Sequence, residues 1–281
     1  MRLTKTIDEL RVIVKGRKDN NNKIGFVPTM GALHQGHLSL IKRAKNENEI
    51  VVVSIFVNPT QFGPKEDYKT YPRDIERDYN LAVESGADIV FNPELSEIYV
   101  DEASTFVQVE GDITNKLCGK SRPTHFKGVT TIVNILFNIV SPDCAYFGQK
   151  DAQQAVIINK MVRDLHMNIN IIVCPIVREE DGLAMSSRNI YLSDEERKQA
   201  IILNKALKIV TEKFNDGEKK VEKLKSLIID TIRTQDLASI DYVEILDYNN
   251  LKEIEYIKEK SLVAVAVVFG KTRLIDNVII G

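Results

Sequence analysis

Two histidines three residues apart, His34 and His37, stand in the stretch Pro28-Thr29-Met30-Gly31-Ala32-Leu33-His34-Gln35-Gly36-His37. Within a helical turn, residues at i and i+3 project to the same side, so the two imidazoles form a pair. Gly31 and Gly36 let backbone approach a bulky anion, and a helix N-terminus adds free N–H groups and a partial positive charge. The combination suits a clamp on phosphate oxygens. Two metal ligands would share the same spacing, but no Asp, Glu or third His stands nearby at a metal-ligand spacing, and the chain has only four histidines. A polar turn without function is the remaining reading.

Three further segments carry suitable residue types. Asn58-Pro59-Thr60-Gln61-Phe62-Gly63-Pro64 is punctuated as a loop, and Gln61 offers donors and an acceptor to a substrate with hydroxyl and carboxylate groups. A lone loop glutamine is more often merely solvated. In Phe147-Gly148-Gln149-Lys150-Asp151-Ala152-Gln153-Gln154, Lys150 and Gln154 are one helical turn apart and Asp151 is at i+3 from Gln154. Lys150 can hold phosphate as a point charge, and Asp151 can accept from a ribose hydroxyl or help hold a metal. By itself this segment reads better as an N-cap Asp beside a surface Lys. Met185-Ser186-Ser187-Arg188-Asn189 sets two hydroxyls beside an arginine, which fits a mobile phosphate-gripping loop as well as ordinary surface composition. The coincidence of all four segments, three of them at strand ends, points to phosphate chemistry more strongly than any one of them.

These segments sit between elements of an α/β chain. The apolar runs Ile24 to Thr29, Ile50 to Val57, Asp88 to Phe91, Cys144 to Phe147 and Ile169 to Val173 predict parallel strands covered on both faces. A helix is expected near Leu38 to Ala44. Another is predicted from Ile75, Tyr79, Ala82 and Val83, stopped by Gly86, and a buried one over residues 129 to 140. Alternating strands and helices imply a Rossmann-like domain with an open parallel sheet, here residues 1–177. Arg178-Glu179-Glu180-Asp181-Gly182 reads as an exposed hinge into a smaller α+β domain, residues 178–281. There a Ser193–Glu196 capping box opens a helix carrying Leu203, Leu207, Val210 and Phe214, and a second helix carries Val221, Leu224, Ile228 and Ile232. Three strands follow: Ile240 to Leu246, Leu262 to Phe269 and Leu274 to Ile280.

Composition narrows the class. A net charge of −2 with mixed acids and bases argues against a nucleic-acid footprint. Cys118, Cys144 and Cys174 are an odd, unpaired set, as expected in a reducing compartment. The opening MRLTKTIDELR has no apolar signal core, and the longest apolar run, Leu262 to Phe269, falls far short of the roughly 20 residues that cross a bilayer. A soluble cytoplasmic protein is expected.

The stretches PTMGALHQGH, FVNPTQFG, RPTHFKGV, AYFGQKDAQQ, VREEDGLAMSSRN and LIDN, in this order, resemble the pantothenate synthetase (pantoate–β-alanine ligase) family of HxGH-type nucleotidyltransferases. The resemblance implies a Rossmann-like domain with a C-terminal lid, a homodimer and a Mg²⁺-ATP requirement, while charge and run length leave no nucleic-acid or membrane partner expected. It implies ATP-dependent condensation of pantoate with β-alanine through a pantoyl adenylate, releasing AMP and pyrophosphate. Carried over by position, Met30, Gly31, Ala32, Leu33, His34, Gln35, Gly36 and His37 would contact ATP, with His37 the proton donor. Gly148, Gln149, Lys150, Asp151, Val177, Met185, Ser186, Ser187 and Arg188 would complete the ATP site. Gln61 would bind pantoate and approach β-alanine, and Gln154 would hold pantoate. Gln35 and Gln149 stand where the family often has an acid, and Thr124 where it has glycine.

The residue types suit that chemistry. A carboxylate with a pKa of about 4 is already ionised near neutral pH and needs no general base to attack the α-phosphorus. The obstacle is repulsion between anions, and fixed donors and cations answer it: His34, His37, Lys150, Ser186, Ser187, Arg188, backbone N–H groups and Mg²⁺. The rivals are a nucleotidyltransferase that leaves the adenylyl group on its product, an ADP-forming ligase, and a non-catalytic nucleotide-binding module.

Overall fold

Strands that are apolar along their whole length need cover on both faces, and the computed structural model, which describes residues 2–64, 66–101 and 103–281, supplies it. The elements in chain order begin β1 (Arg2–Thr4), α1 (Ile7–Lys18), β2 (Ile24–Thr29), α2 (Gln35–Glu47), β3 (Ile50–Ile55), α3 (Ile75–Glu84) and β4 (Ile89–Phe91). Short helices α4 (Leu95–Ile98), α5 (Asp112–Asn115) and α6 (Cys118–Ser121) precede α7 (His125–Val140), β5 (Cys144–Gly148), α8 (Ala152–Asp164) and β6 (Asn170–Cys174). Then come α9 (Asp194–Ala200), α10 (Ile202–Asn215), α11 (Val221–Ile232), β7 (Ala238–Asp247), β8 (Ser261–Phe269) and β9 (Thr272–Ile280). Residues 1–148 with 157–175 form one compact unit, and residues 149–156 with 176–281 form another.

In the first unit six strands pair in parallel in the order β1-β4-β3-β2-β5-β6. Val52 sends its side chain to the face packed by Leu10 and Val14 of α1 and Leu136 and Phe137 of α7. Its neighbours Val51 and Val53 face Leu38, Ile41 and Ala44 of α2 and Ala82 of α3. The winding runs from β2 to β3 and β4 on one side, then returns to β5 and β6 on the other, so it switches between β2 and β5. Open α/β sheets bind ligands beyond the carboxyl ends of strands at such a switch. Pairing of β2 with β5 covers only Gly25 and Phe26, whereas β2 stays paired with β3 as far as Thr29. The ladder is thus already open at Pro28, which has no N–H to contribute.

In the second unit β8 is the central strand of an antiparallel β7-β8-β9 sheet. Its Val263, Val265 and Val267 pack with Leu203, Leu207 and Val210 of α10 and Leu224, Ile228 and Ile232 of α11. The fold class is therefore the expected one, a Rossmann-like parallel-sheet domain with a smaller α+β domain. Details differ. The single helix predicted from Ser193 is two, α9 and α10, broken at Ile201, although the Ser193–Glu196 capping box is present in both directions. The elements β1, α1 and α4 to α6 lie outside the runs that the sequence marks as strands or helices. Where the sequence suggested a boundary at residue 177, the second unit begins at Ile176 and also takes in residues 149–156. Among the described residues no helix is long and apolar enough to cross a membrane, no disulfide forms, and no three His, Cys, Asp or Glu side chains cluster as metal ligands.

Candidate active site

The chain leaving β2 makes a turn that most residues avoid: Gly31 has φ +85° and Ala32 φ +50°. Asp78 on α3 holds it. Its carboxylate, 1% exposed, accepts from the N–H of Ala32 at 2.7 Å and of Leu33 at 2.8 Å. Arg77 donates to Asp78 Oδ1 at 3.2 Å and to the Leu33 carbonyl at 3.0 Å. A Cβ at Gly31 would sit 2.9 Å from Asp78 Oδ2, so the residue is needed for space as well as for φ. Asp78→Ala would leave two inward N–H groups unpaired and is expected to cost about 2–4 kcal/mol of stability, read as a lower Tm.

That turn delivers His34 to the start of α2, but not as a helical residue. His34 is the N-cap, in extended backbone at φ −135° and ψ 174°. Its Nδ1 accepts from the Gly36 N–H at 3.1 Å, while Nδ1 of His37 accepts from the His34 N–H at 3.3 Å. The rings lie side by side with centroids 4.2 Å apart. The expected pairing of imidazoles is present, produced by this reciprocal cap rather than by a shared helical turn. An accepting Nδ1 cannot carry the proton, so both neutral rings bear it on Nε2. Gly36 must be glycine, because a Cβ there would lie 2.8 Å from His34 Cε1 and 2.9 Å from Nδ1.

Gln61, expected in a loop as a substrate-binding residue, is 9% exposed and ends a 3-10 turn over Pro59–Gln61. Its Nε2 donates to Met30 Sδ at 2.6 Å and its Oε1 accepts from Asn58 Nδ2 at 3.2 Å. Asn58 is fixed in turn by Tyr99, whose hydroxyl donates to Oδ1 at 2.8 Å. Burial pushes the Tyr99 phenol up, which keeps it a donor. The Gln61 carbonyl takes a bond from His125 Nδ1 at 2.8 Å and one from Arg122 Nη2 at 3.3 Å. Since a carbonyl only accepts, His125 is the Nδ1–H tautomer, and its Nε2 receives Arg122 Nη1 at 3.2 Å. Glu66 closes the chain by gripping Arg122 through two bonds, one of them Nε to Oε1 at 2.7 Å. Burial raises the Glu66 carboxyl, but the Arg122 bond and charge outweigh it and hold the group below its usual range.

The other expected residues belong to the second unit, apart from Gly148, which closes β5. Gln149, Lys150 and Asp151 form a 3-10 turn leading into α8, which carries Gln154. Val177 accepts from the Met185 N–H at 3.0 Å, and Arg178 bridges Ala184, so residues 177–185 form a narrow return. Ser186 caps the next 3-10 segment, Ser187–Tyr191, by accepting from the Arg188 N–H at 3.2 Å. In the segment read from sequence as an exposed hinge, Glu180 and Asp181 are exposed, while Arg178, Glu179 and Asp181 are ion-paired. Arg178 reaches Asp276 at 2.6 Å, and Arg197 reaches Glu179 at 2.7 Å and Asp181 at 2.6 Å. The Arg197 bond holds the Asp181 carboxyl below its usual range.

A parallel α/β sheet with a helix N-terminus and paired imidazoles beyond the strand at its switch point is the setting in which nucleotide-binding α/β enzymes take a phosphorylated ligand. Comparison with known proteins gives the family. The sequence model for pantoate–β-alanine ligases matches residues 2–279. The pantothenate synthetase of Acetivibrio thermocellus is 58% identical over 280 residues, covering 100% of this chain and 99% of that protein. That of Thermotoga neapolitana is 54% identical over 281 residues, covering 100% of both. Among solved structures, pantothenate synthetase from Thermus thermophilus matches with a TM-score of 0.94 at 45% identity, covering 99% of each chain. The pantoate–β-alanine ligase from Francisella tularensis, complexed with β-γ ATP and β-alanine, matches with a TM-score of 0.79 at 37% identity, covering 99% of this chain and 97% of that one. The chain belongs to the pantoate–β-alanine ligase family, enzymes that join pantoate to β-alanine.

Proposed function

We propose that this ligase activates pantoate with ATP as a pantoyl adenylate, and that β-alanine then displaces AMP. The observation that carries the reading is the reciprocal His34–His37 cap, which fixes two imidazoles as Nε2–H donors at a helix N-terminus. Such a set stabilises negative charge without giving up a proton at the first step. In this reading the carboxylate of pantoate attacks the α-phosphorus, pyrophosphate leaves, and His34, His37 and Lys150 meet the charge that grows on the phosphates, with His37 offering its Nε2 proton as a hydrogen-bond donor. The backbone from Met30 to His37 and from Gly148 to Asp151, with Val177 and Met185 to Arg188, serves ATP. Gln61 and Gln154 serve pantoate, and Gln61 also meets β-alanine.

In the second step the neutral amine of β-alanine adds to the acyl carbonyl and AMP departs. Water must be excluded, since it would hydrolyse the mixed anhydride, and we assign that duty to the smaller domain as a lid. Mg²⁺ keeps several waters and binds largely through substrate phosphates. With no grouped set of protein ligands among the described residues, a nucleotide-borne ion fits this chain best. When bound, it neutralises charge on the triphosphate. A homodimer in the cytoplasm completes the proposal, on family resemblance.

Gln61→Ala is expected to raise the pantoate KM about tenfold or more, the worth of a hydrogen bond to a charged group, while changing the ATP KM much less. A defect confined to ATP would contradict the assignment. ATP–pyrophosphate exchange tests the whole reading. Exchange should require pantoate, and added β-alanine should yield the amide with AMP. Exchange without pantoate, or ADP as product, would overturn it.

A further inference from the structure

The closing Leu274-Ile275-Asp276-Asn277 motif on β9 has no part in the chemistry above, yet it is built around two buried polar side chains. Asp276 is 2% exposed and Asn277 3%. The Asn277 amide spends itself on one short turn. Its Nδ2 donates to the Gln149 carbonyl at 2.9 Å and to the Lys150 carbonyl at 3.0 Å, while Oδ1 accepts from Gln149 Nε2 at 3.2 Å. Two successive carbonyls turned toward one NH₂ group define how the backbone runs through Lys150, and therefore from where its ammonium side chain departs. Asp276 sets Asn277 in turn. Its Oδ1 accepts the Asn277 N–H at 2.8 Å, and both carboxylate oxygens hold Arg178, at 2.9 and 2.6 Å. Arg178 also donates to the Gly182 carbonyl at 3.1 Å.

We propose that Asn277 is the positioning residue of Lys150, acting on the reaction only through the conformation of the Gln149–Lys150 turn. This rests on the reading of Lys150 as a phosphate-binding cation. Without Nδ2 the two carbonyls lose their common donor and the turn relaxes, so the ammonium group is no longer held where charge develops. A carboxylate of the same shape is worse, because it faces two carbonyl oxygens with no hydrogen to offer.

A double-mutant cycle with Lys150→Ala separates positioning from general support of the fold, since residues acting through one another are not additive. Asn277→Ala is expected to lower kcat about tenfold or more, with Asn277→Asp lower still, and to lower it less than about threefold when Lys150 is already Ala. Equal losses in both backgrounds, or near-normal turnover of Asn277→Ala, would overturn the proposal. Should the alanine variant fail to fold, Asn277→Ser, which keeps one donor hydrogen, goes through the same cycle with the same criteria. Near-normal turnover of Lys150→Ala alone would instead remove the phosphate role of Lys150, and this proposal with it, and is told apart by that single variant.

Discussion

His37→Ala is expected to lower kcat by roughly 10²-fold or more, the usual cost of losing one preorganised donor to developing charge. Alanine removes two things at once, because Nδ1 of His37 caps the His34 N–H while Nε2 carries the proton. Two further substitutions separate them. Asn at position 37 offers an acceptor near the place of Nδ1 but nothing at Nε2, so His37→Asn should keep the Tm and lose the rate. Gln reaches the Nε2 position with an N–H, so His37→Gln should recover part of the rate at some cost to the cap. If His37→Asn turned over normally, capping rather than donation would be the residue's whole contribution.

Gly128→Ala should be nearly as damaging although its methyl group adds no charge. A Cβ at Gly128 on α7 would stand 2.4 Å from the Thr60 carbonyl oxygen and 2.6 Å from the Gln61 nitrogen, both backbone atoms that cannot swing aside. The 3-10 turn carrying Gln61 would have to lift. Overpacking of this kind costs about 1–3 kcal/mol, and for a chain of this size each kcal/mol lowers Tm by about 2–4 °C. Pantoate should bind about tenfold more weakly, because Gln61 also loses its alignment with Asn58 and the His125 bond to its carbonyl. Thermal melting and the pantoate KM of one purified variant check both effects. A full-strength KM beside a lowered Tm would show that Gln61 does not depend on this close approach.

What could be read from the sequence was local. Paired histidines and glycines at a strand's end, a Ser-Ser-Arg run and the long apolar strands announce themselves over a few residues, and the parallel sheet followed from them. The Thr6–Glu9 spacing that caps α1, with Leu10 and Val14 buried behind it, carries the same kind of local signal. The second layer of the site was illegible for another reason. Asp78 meets its partners Ala32 and Leu33 across 46 and 45 residues, and on its own helix Arg77-Asp78 looks like a solvated pair. The ion pair that holds Arg178 could not be read from its own segment because its carboxylate, Asp276, is 98 residues away. The partners of the Gln61 side chain could not be read locally either, because Met30 lies 31 residues away and Gly128, which the turn approaches closely, has no side chain to advertise the contact. Arg122 and His125 were visible as a motif, but their action on the Gln61 carbonyl depends on a tautomer that only the fold sets.

The fate of oxygen in pantoate labelled with ¹⁸O in both carboxylate positions tests adenylation most directly. If that carboxylate attacks the α-phosphorus, one labelled oxygen must leave with AMP and the other remain in the amide carbonyl, as mass spectrometry of the two products would show. Unlabelled AMP, or label in inorganic phosphate alongside ADP, would contradict the account.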